Sequence, residues 1–130
     1  MNVCNIRSLL AMAILCAPGA YAQSTWDGGG TNNNWSFVTN WVGDVAPGNP
    51  TTNFIYLSGT TRLTPFVDAD WQIQGLIISN NAGGFSLSGS NLTITANSAT
   101  STNAQVFEHR GPSNIVVANN LILPATASNV

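Results

Sequence analysis

The sequence predicts an all-β protein whose short strands stack as a solenoid. After residue 22, short apolar runs alternate with polar residues, no segment has a convincing helical period, and turns rich in Asn and Gly separate the runs. Nearly all of these runs are three to five residues long. NLTITAN at residues 91–97 is echoed by NIVVANN at residues 114–120, an offset of 23 residues. A period of this size is typical of solenoids, in which each coil buries its apolar face against the next.

The N-terminal 22 residues have the pattern of a secretory signal peptide. Arg7 precedes the apolar run LLAMAILCAPGA, and Ala20-Tyr21-Ala22 forms a small-x-small cleavage site before Gln23. The apolar run is shorter than the roughly 18 to 20 residues that span a bilayer. We therefore expect residues 1–22 to be removed and the chain to be secreted or held at the cell surface, with no membrane anchor visible in it.

The next segment, residues 23–52, is predicted to be an N-terminal cap. Trp26, Trp35 and Trp41 are separated by runs of Gly and Asn, and their spacing fits no single strand or helix face. Gly and Asn tolerate positive φ, so they allow the backbone to fold tightly around large rings. Each indole can bury on the order of 200 Å². A solenoid needs such a plug because its first coil otherwise exposes open strand edges.

A sugar-binding site is the functional alternative for the same segment. Exposed tryptophans beside polar side chains are typical of carbohydrate sites, so Trp26, Trp35 and Trp41 could contact a glycan together with Asp27 and Asn34. The two interpretations differ in the solvent exposure of the indoles. A cap buries the rings, whereas a glycan platform exposes them.

Residues 53–130 are predicted to form the solenoid coils. The candidate strands are residues 54–57, 61–63, 71–73, 76–79, 85–88, 92–95, 105–108, 115–117 and 121–123. The interior is expected to contain Phe85, Leu87, Leu92, Ile94, Ile115 and Val117. Equivalent positions in stacked strands lie about 4.8 Å apart, which penalises charge and favours hydrogen-bonded ladders of Asn and Thr. Only 6% of residues are charged. A small β-sandwich of antiparallel strands is the alternative, since it also has short strands and regular turns.

Composition excludes several classes of site. The chain has no lysine and a net charge of −2, which argues against nucleic acid as a partner. Cys4 and Cys16 both lie in the predicted signal peptide, so the exported part has no disulfide and no cysteine metal site. The single His109 cannot build a multi-histidine centre. We expect no metal and no cofactor.

The remaining charged residues do not assemble a reaction centre. Asp68 and Asp70 would share one strand face, but calcium needs six to eight oxygens, so an exposed turn is expected. In Glu108-His109-Arg110, alternation places the carboxylate and the guanidinium on one face and the imidazole on the other. That arrangement favours an exposed ion pair over a proton relay. No nucleophile elbow or phosphate-binding loop is present, so the sequence predicts a non-catalytic protein.

The tryptophan segment also resembles the start of the autotransporter-associated β-strand repeat proteins. TWDGGGTNNNWSFVTNWVGDVAP, followed by TRLTP and GLIISNNAGGFSLSGSNLTI, is similar to their N-terminal part over about residues 24–123. The specific matches are Thr25, Trp26, Gly28, Gly29, Gly30, Asn33, Asn34, Trp35, Ser36, Asn40, Trp41 and Pro47. A more generic pattern follows at Leu76, Gly83 or Gly84, Phe85, Leu87 and Gly89.

This resemblance implies the passenger of a large exported bacterial surface protein, folded as a right-handed parallel β-helix. Its implied role is structural or adhesive, with extracellular glycans, cell-surface components and further β-helix coils as partners. The glycine-rich repeats and translocating barrel of the family do not follow residue 123, so the coils are expected to be incomplete at the C-terminus. A carbohydrate-binding module and an inactive remnant of a β-helical polysaccharide lyase or hydrolase are the alternatives.

Overall fold

The computed structural model describes residues 22–95 and 107–123, which form an all-β fold. The strands are β1 (Gln23–Trp26), β2 (Phe54–Leu57), β3 (Phe66–Val67), β4 (Trp71–Ile73), β5 (Gly75–Ile78), β6 (Ser86–Gly89), β7 (Leu92–Ile94), β8 (Phe107–His109), β9 (Val116–Val117) and β10 (Leu121–Ile122). A 3-10 turn at Val38–Asn40 is the one helical element in these two ranges. Nowhere in them is there a helix of the length and apolarity that a membrane crossing requires. The predicted signal peptide lies outside the described residues, apart from Ala22.

The strands form three sheets in which every strand pair is parallel. Their orders are β1-β2-β5-β8, β3-β6-β9 and β4-β7-β10. Along the chain, β2, β3 and β4 enter the three sheets in turn, and β5 to β7 and then β8 to β10 repeat that order. We call each such set of three a level. The alternative of an antiparallel sandwich is wrong, because the sheets contain parallel pairs throughout.

Register keeps equivalent side chains above one another from level to level. In the first sheet, Trp26 pairs with Leu57, Leu57 with Ile78, and Ile78 with His109. Since side chains alternate between the two faces of a strand, this register produces continuous interior columns. One core cluster therefore runs through the described levels; its fully buried aliphatic members are Ile55, Leu57, Val67, Ile73, Leu76, Ile78, Leu87 and Leu92.

The predicted interior residues follow this pattern, but their burial decreases in the last described level. Phe85, Leu87, Leu92 and Ile94 are buried, as expected. Ile115 and Val117 are only half-buried. They belong to the last described level, where no further strand lies beneath them.

Most predicted strands are present within one or two residues of their expected bounds. Residues 61–63, however, are not a strand, because Arg62 has a φ of +47° and its carbonyl accepts a hydrogen bond from Trp26 Nε1. β1 was missed because its sequence was assigned to the irregular cap, and β3 because it is two residues long. Of the predicted strand at residues 105–108, the first two residues lie outside the described ranges.

The 23-residue echo compared strands of different sheets, so the period that it predicted is wrong. β7 pairs with β10, whereas residues 114–120 contain β9, which pairs with β6. Hydrogen-bonded equivalents are 21 residues apart at Asp70 and Asn91 and 29 apart at Asn91 and Asn120. The spacing changes because the connection from β7 to β8 is longer than that from β4 to β5.

A polar ladder at one corner joins successive levels. Asn49 Nδ2 donates to the carbonyl of Asp70 at 2.7 Å. The carboxylate of Asp70 accepts from the backbone and side-chain amides of Asn91 at 3.0 and 3.1 Å. Asn91 Oδ1 then accepts from Asn120 Nδ2 at 3.1 Å. Asparagine side chains bond between levels, as expected, but the ladder also contains the carboxylate of Asp70, which the expectation left out.

Candidate functional site

The tryptophan-rich segment forms a further level above β2, β3 and β4. β1 pairs in parallel with β2, and Asn34 forms a parallel bridge with Phe66 of β3. Beside β4, the amide of Thr51 donates to the carbonyl of Gln72 at 3.0 Å. Residues 23–52 therefore contribute one stretch of chain to each of the three sheets and continue them, rather than forming a separate unit. We call this segment the first level.

Trp26, Trp35 and Trp41 meet at the centre of the first level. All three side chains are 0% exposed. The ring centroids of Trp35 and Trp41 are 5.0 Å apart and those of Trp26 and Trp41 are 5.4 Å apart, both edge to face. Trp71 of β4 extends the cluster, with its ring 6.5 Å from Trp35. Edge-to-face contacts of this kind add about 0.5–1.5 kcal/mol beyond the area that they bury.

Backbone carbonyls hold three of the four indole N–H groups. Trp41 Nε1 donates to the carbonyl of Trp35 at 2.7 Å, Trp26 Nε1 to Arg62 at 3.2 Å, and Trp71 Nε1 to Gly48 at 3.0 Å. Trp35 Nε1 is buried without a hydrogen-bond partner in the described part of the chain. The cluster is therefore fixed by hydrogen bonds at its rim and by ring packing at its centre.

Asn40 organises the loops around the rings. Its side chain is fully buried, and its Oδ1 accepts from the amide of Gly30 at 3.1 Å. Its Nδ2 donates to the carbonyls of Asn32 and Asn34 at 2.9 and 3.0 Å. Its own carbonyl accepts from the amides of Asp27 and Gly28. The motif contains Asn40, but only the fold shows that one buried amide satisfies loop groups from both sides of the cluster.

Two glycines allow the chain to approach this cluster closely. Gly28 has a φ of +66°, and a Cβ there would lie 2.7 Å from the carbonyl oxygen of Thr61 and 2.8 Å from Arg62 Cβ. At Gly30 a Cβ would lie 2.6 Å from Asn40 Oδ1. Glycine is therefore required by both conformation and space at residue 28, and by space at residue 30.

Gly28→Ala is expected to lower the free energy of unfolding by about 3 kcal/mol, from left-handed strain together with overpacking against fixed backbone. Gly43→Ala is the matched control, since Gly43 has a φ of +81° and nothing within 4 Å of an added Cβ. The control is expected to cost about 1 kcal/mol, for strain alone. Urea unfolding followed by circular dichroism measures both. Equal losses of stability in the two variants would show that the methyl group added at residue 28 is accommodated without overpacking.

Arg62 connects the first level to the level below it by hydrogen bonds. Its Nε donates to the carbonyl of Gly30, and its Nη1 lies 3.3 Å from Asn33 Oδ1. Asn33 Nδ2 donates in turn to Thr64 Oγ1 at 2.8 Å. The sequence pattern predicts no role for Arg62 or Trp71 in this cluster. The TRLTP segment could have indicated Arg62, because it is part of the family resemblance. Its apolar pattern instead predicted a strand at residues 61–63, which the structure does not contain.

The residues proposed for glycan contact separate into two groups. Trp26, Trp35 and Trp41 form the buried cluster, and none presents a ring face to solvent. Asp27 and Asn34 lie on the surface. Asp27 Oδ1 accepts from the amide of Gly29 at 3.0 Å, which is a local turn contact. The structure therefore gathers the three rings but does not place the two polar side chains beside an open indole.

The side chains of Asp68, Asp70 and Glu108 make contacts that join or flank strands. Asp68 accepts from the amide and the hydroxyl of Ser36 in the first level, and Asp70 belongs to the polar ladder. Arg110 pairs with Glu108, as predicted. This hydrogen bond lowers the pKa of the Glu108 carboxyl and raises that of Arg110. Among the described residues no group of three His, Cys, Asp or Glu side chains could hold a metal ion.

Neither a scan against protein-family models nor searches of curated proteins and of solved structures found a match for this chain. The geometry of the first level and of the sheets beneath it is therefore the basis for inferring a function.

Proposed function

We propose that the chain is a non-catalytic exported module, the N-terminal part of a right-handed parallel β-helix of the autotransporter-associated type, with a structural or adhesive role at the cell surface. One observation carries the proposal. Three parallel sheets receive strands in a repeated order, and a buried tryptophan cluster closes their first level. This order supports a solenoid, which needs a closed beginning and can be lengthened at its other end.

The end of the stack that carries the tryptophan cluster, which we call the upper end, is closed, and this supports the role of a starting module. Trp41 forms an antiparallel bridge with Trp26 on the side of β1 that faces away from β2. The amide of Val42 donates to the carbonyl of Thr25 at 2.9 Å, next to this bridge. At Thr25 and Trp26 the edge of β1 is covered in this way and does not offer its backbone for further pairing. Growth of the stack is thus directed to the end that carries β8, β9 and β10, where further coils are the proposed partners.

The contacts of the polar residues favour the structural role over the two alternatives. Asp68 and Asp70 are engaged between levels, so they do not form a free acid and base pair. A polysaccharide lyase or hydrolase would need acidic and basic residues along a groove, and the chain has no lysine. A carbohydrate-binding module that uses the three indoles would need ring faces in solvent. Glycans are instead proposed as partners of the outer surface of an adhesive stack.

Export is tested by expressing the full chain in a Gram-negative bacterium and determining its location and N-terminus by fractionation and mass spectrometry. We expect a secreted or periplasmic product that begins at Gln23. Leu15→Arg places a charge inside the apolar run and is expected to abolish export. Asn2→Arg adds the same charge before that run and is expected to leave export unchanged.

Two results would contradict the proposal. An uncleaved wild-type chain retained in the cytoplasm would reject export. If the secreted protein changed its tryptophan emission on addition of soluble glycans, the carbohydrate-binding alternative would replace the structural role, because a closed cluster gives glycans no access to the rings.

A further inference from the structure

The end of the stack opposite the tryptophan cluster, which we call the lower end, exposes residues that occupy interior positions. Phe107 of β8 is in register with buried Leu76, yet it is 36% exposed. Leu121 of β10 is in register with buried Leu92 and is only half-buried. Leu123 just beyond it is 53% exposed. Within residues 22–95 and 107–123 nothing covers this end, so it is an apolar surface bordered by three edge strands.

The backbone of β8 can accept another strand. The amide of Arg110 donates to the carbonyl of Ile78 in β5 at 2.9 Å. Residues along a strand alternate between its two neighbours, so the N–H and C=O of His109 point away from β5 towards the open side. His109 is therefore the residue at which a new strand would form its backbone hydrogen bonds.

The closed upper end restricts how two copies of this chain could meet. Trp41 and Val42 cover β1, so the lower end of one copy cannot continue the first sheet at the upper end of the next. Head-to-tail growth is blocked there. Two lower ends can still meet across a twofold axis, which forms a closed and self-complementary interface.

Charge selects the register of such a contact. If two β8 strands pair antiparallel with His109 opposite His109 of the second copy, Glu108 lies opposite Arg110 of that copy, and Arg110 opposite its Glu108. These are non-hydrogen-bonded positions, where the side chains of an antiparallel pair approach most closely. Opposite charges at such positions are stabilising and like charges are destabilising. Arg110 directly follows β8, and its side chain already pairs with that of Glu108 within one copy.

We propose that the open lower end is a homodimer interface, in which the β8 strands of two copies pair antiparallel about His109 with reciprocal Glu108–Arg110 contacts. β9 and β10 of one copy then lie over β10 and β9 of the other, and the exposed apolar residues of both ends are covered. The contact uses the edge at which further coils would be added, so it is a property of this chain when that edge is free.

The test is the mass of the exported chain that begins at Gln23, measured by sedimentation and light scattering from about 1 to 100 µM, a range typical of moderate association. We expect a monomer–dimer equilibrium without larger species. Glu108→Arg places arginine opposite Arg110 of the other copy and is expected to weaken dimerisation at least tenfold. The charge-swapped double variant Glu108→Arg with Arg110→Glu is expected to restore it.

His109→Pro is the backbone test, because it removes an N–H that points to the open edge and leaves the hydrogen bond from Arg110 to Ile78 in place. We expect a monomer with unchanged tryptophan emission, which shows that the first level stays folded. A wild-type chain that is monomeric at all concentrations with native emission would overturn the dimer and leave the proposed exported module intact. Dimers insensitive to both single changes, or species that keep growing with concentration, would also overturn it.

Discussion

Trp35→Ala is expected to lower the free energy of unfolding by about 3–5 kcal/mol, the usual cost of truncating a buried tryptophan. Trp35 is fully buried and contacts the rings of Trp26, Trp41 and Trp71, so no exposed side chain can fill the cavity. The loss is a large share of the roughly 5–15 kcal/mol that stabilises a typical domain. Urea unfolding monitored by far-ultraviolet circular dichroism measures it. Val45→Ala, at a side chain that is 68% exposed, is the control and is expected to be nearly neutral.

A pair of phenylalanine variants separates ring packing from hydrogen bonding in the same cluster. Trp35→Phe and Trp41→Phe remove similar volume from fully buried positions. Trp41→Phe also removes the 2.7 Å hydrogen bond to the carbonyl of Trp35, whereas Trp35 Nε1 has no such partner among the described residues. Trp41→Phe is therefore expected to cost about 1 kcal/mol more. The role assigned to the cluster would be wrong if Trp35→Ala destabilised the protein no more than Val45→Ala.

Asn40→Asp is expected to lower the free energy of unfolding by about 3 kcal/mol or more at neutral pH, although it replaces only the side-chain NH2 group by an oxygen. The new carboxylate cannot donate to the carbonyls of Asn32 and Asn34, and it places a charge in a fully buried site. Asn34→Asp makes the same chemical change on the surface and is expected to alter stability by less than about 0.5 kcal/mol. Thermal and urea unfolding of the two variants and the wild type provide the comparison.

The penalty at Asn40→Asp should depend on pH with a definite sign. Burial raises the pKa of an unpaired carboxyl in the folded state above its unfolded value of about 3.9. The folded variant then holds a proton that the unfolded chain has released, so its stability relative to wild type falls as pH rises above about 4. A variant as stable as wild type at pH 7 would show that the Asn40 amide does not hold the loops of the first level.

Much of the all-β architecture could be predicted from local pattern. β2, β4 and β7 begin at their predicted residues because their apolar positions alternate clearly between turns. The convergence of three tryptophans was predicted from their spacing, which no single element could satisfy. The ion pair of Glu108 and Arg110 followed from the same alternation.

Other features depended on which strands pair, and this is a non-local choice. The apparent match between NLTITAN and NIVVANN suggested stacking, yet hydrogen bonds place β10 beside β7 and β9 beside β6. Arg62 lies in a segment that reads as a strand, but the first level draws it into a left-handed conformation so that its carbonyl and guanidinium can bind that level. Neither outcome is encoded in a short window of residues.

Strand content, scarcity of charge and the tryptophan-rich beginning follow from residue type and from alternation over a few positions, so they can be read from the sequence. The parallel pairing of strands in three sheets, the burial of all three indoles and the role of Asn40 in the surrounding loops become visible only in the folded chain. The local alternation of residues indicates which side of a strand is apolar. The pairing of strands whose partners are 21 to 31 residues apart determines what that side contacts, and that contact determines whether a tryptophan faces protein or solvent.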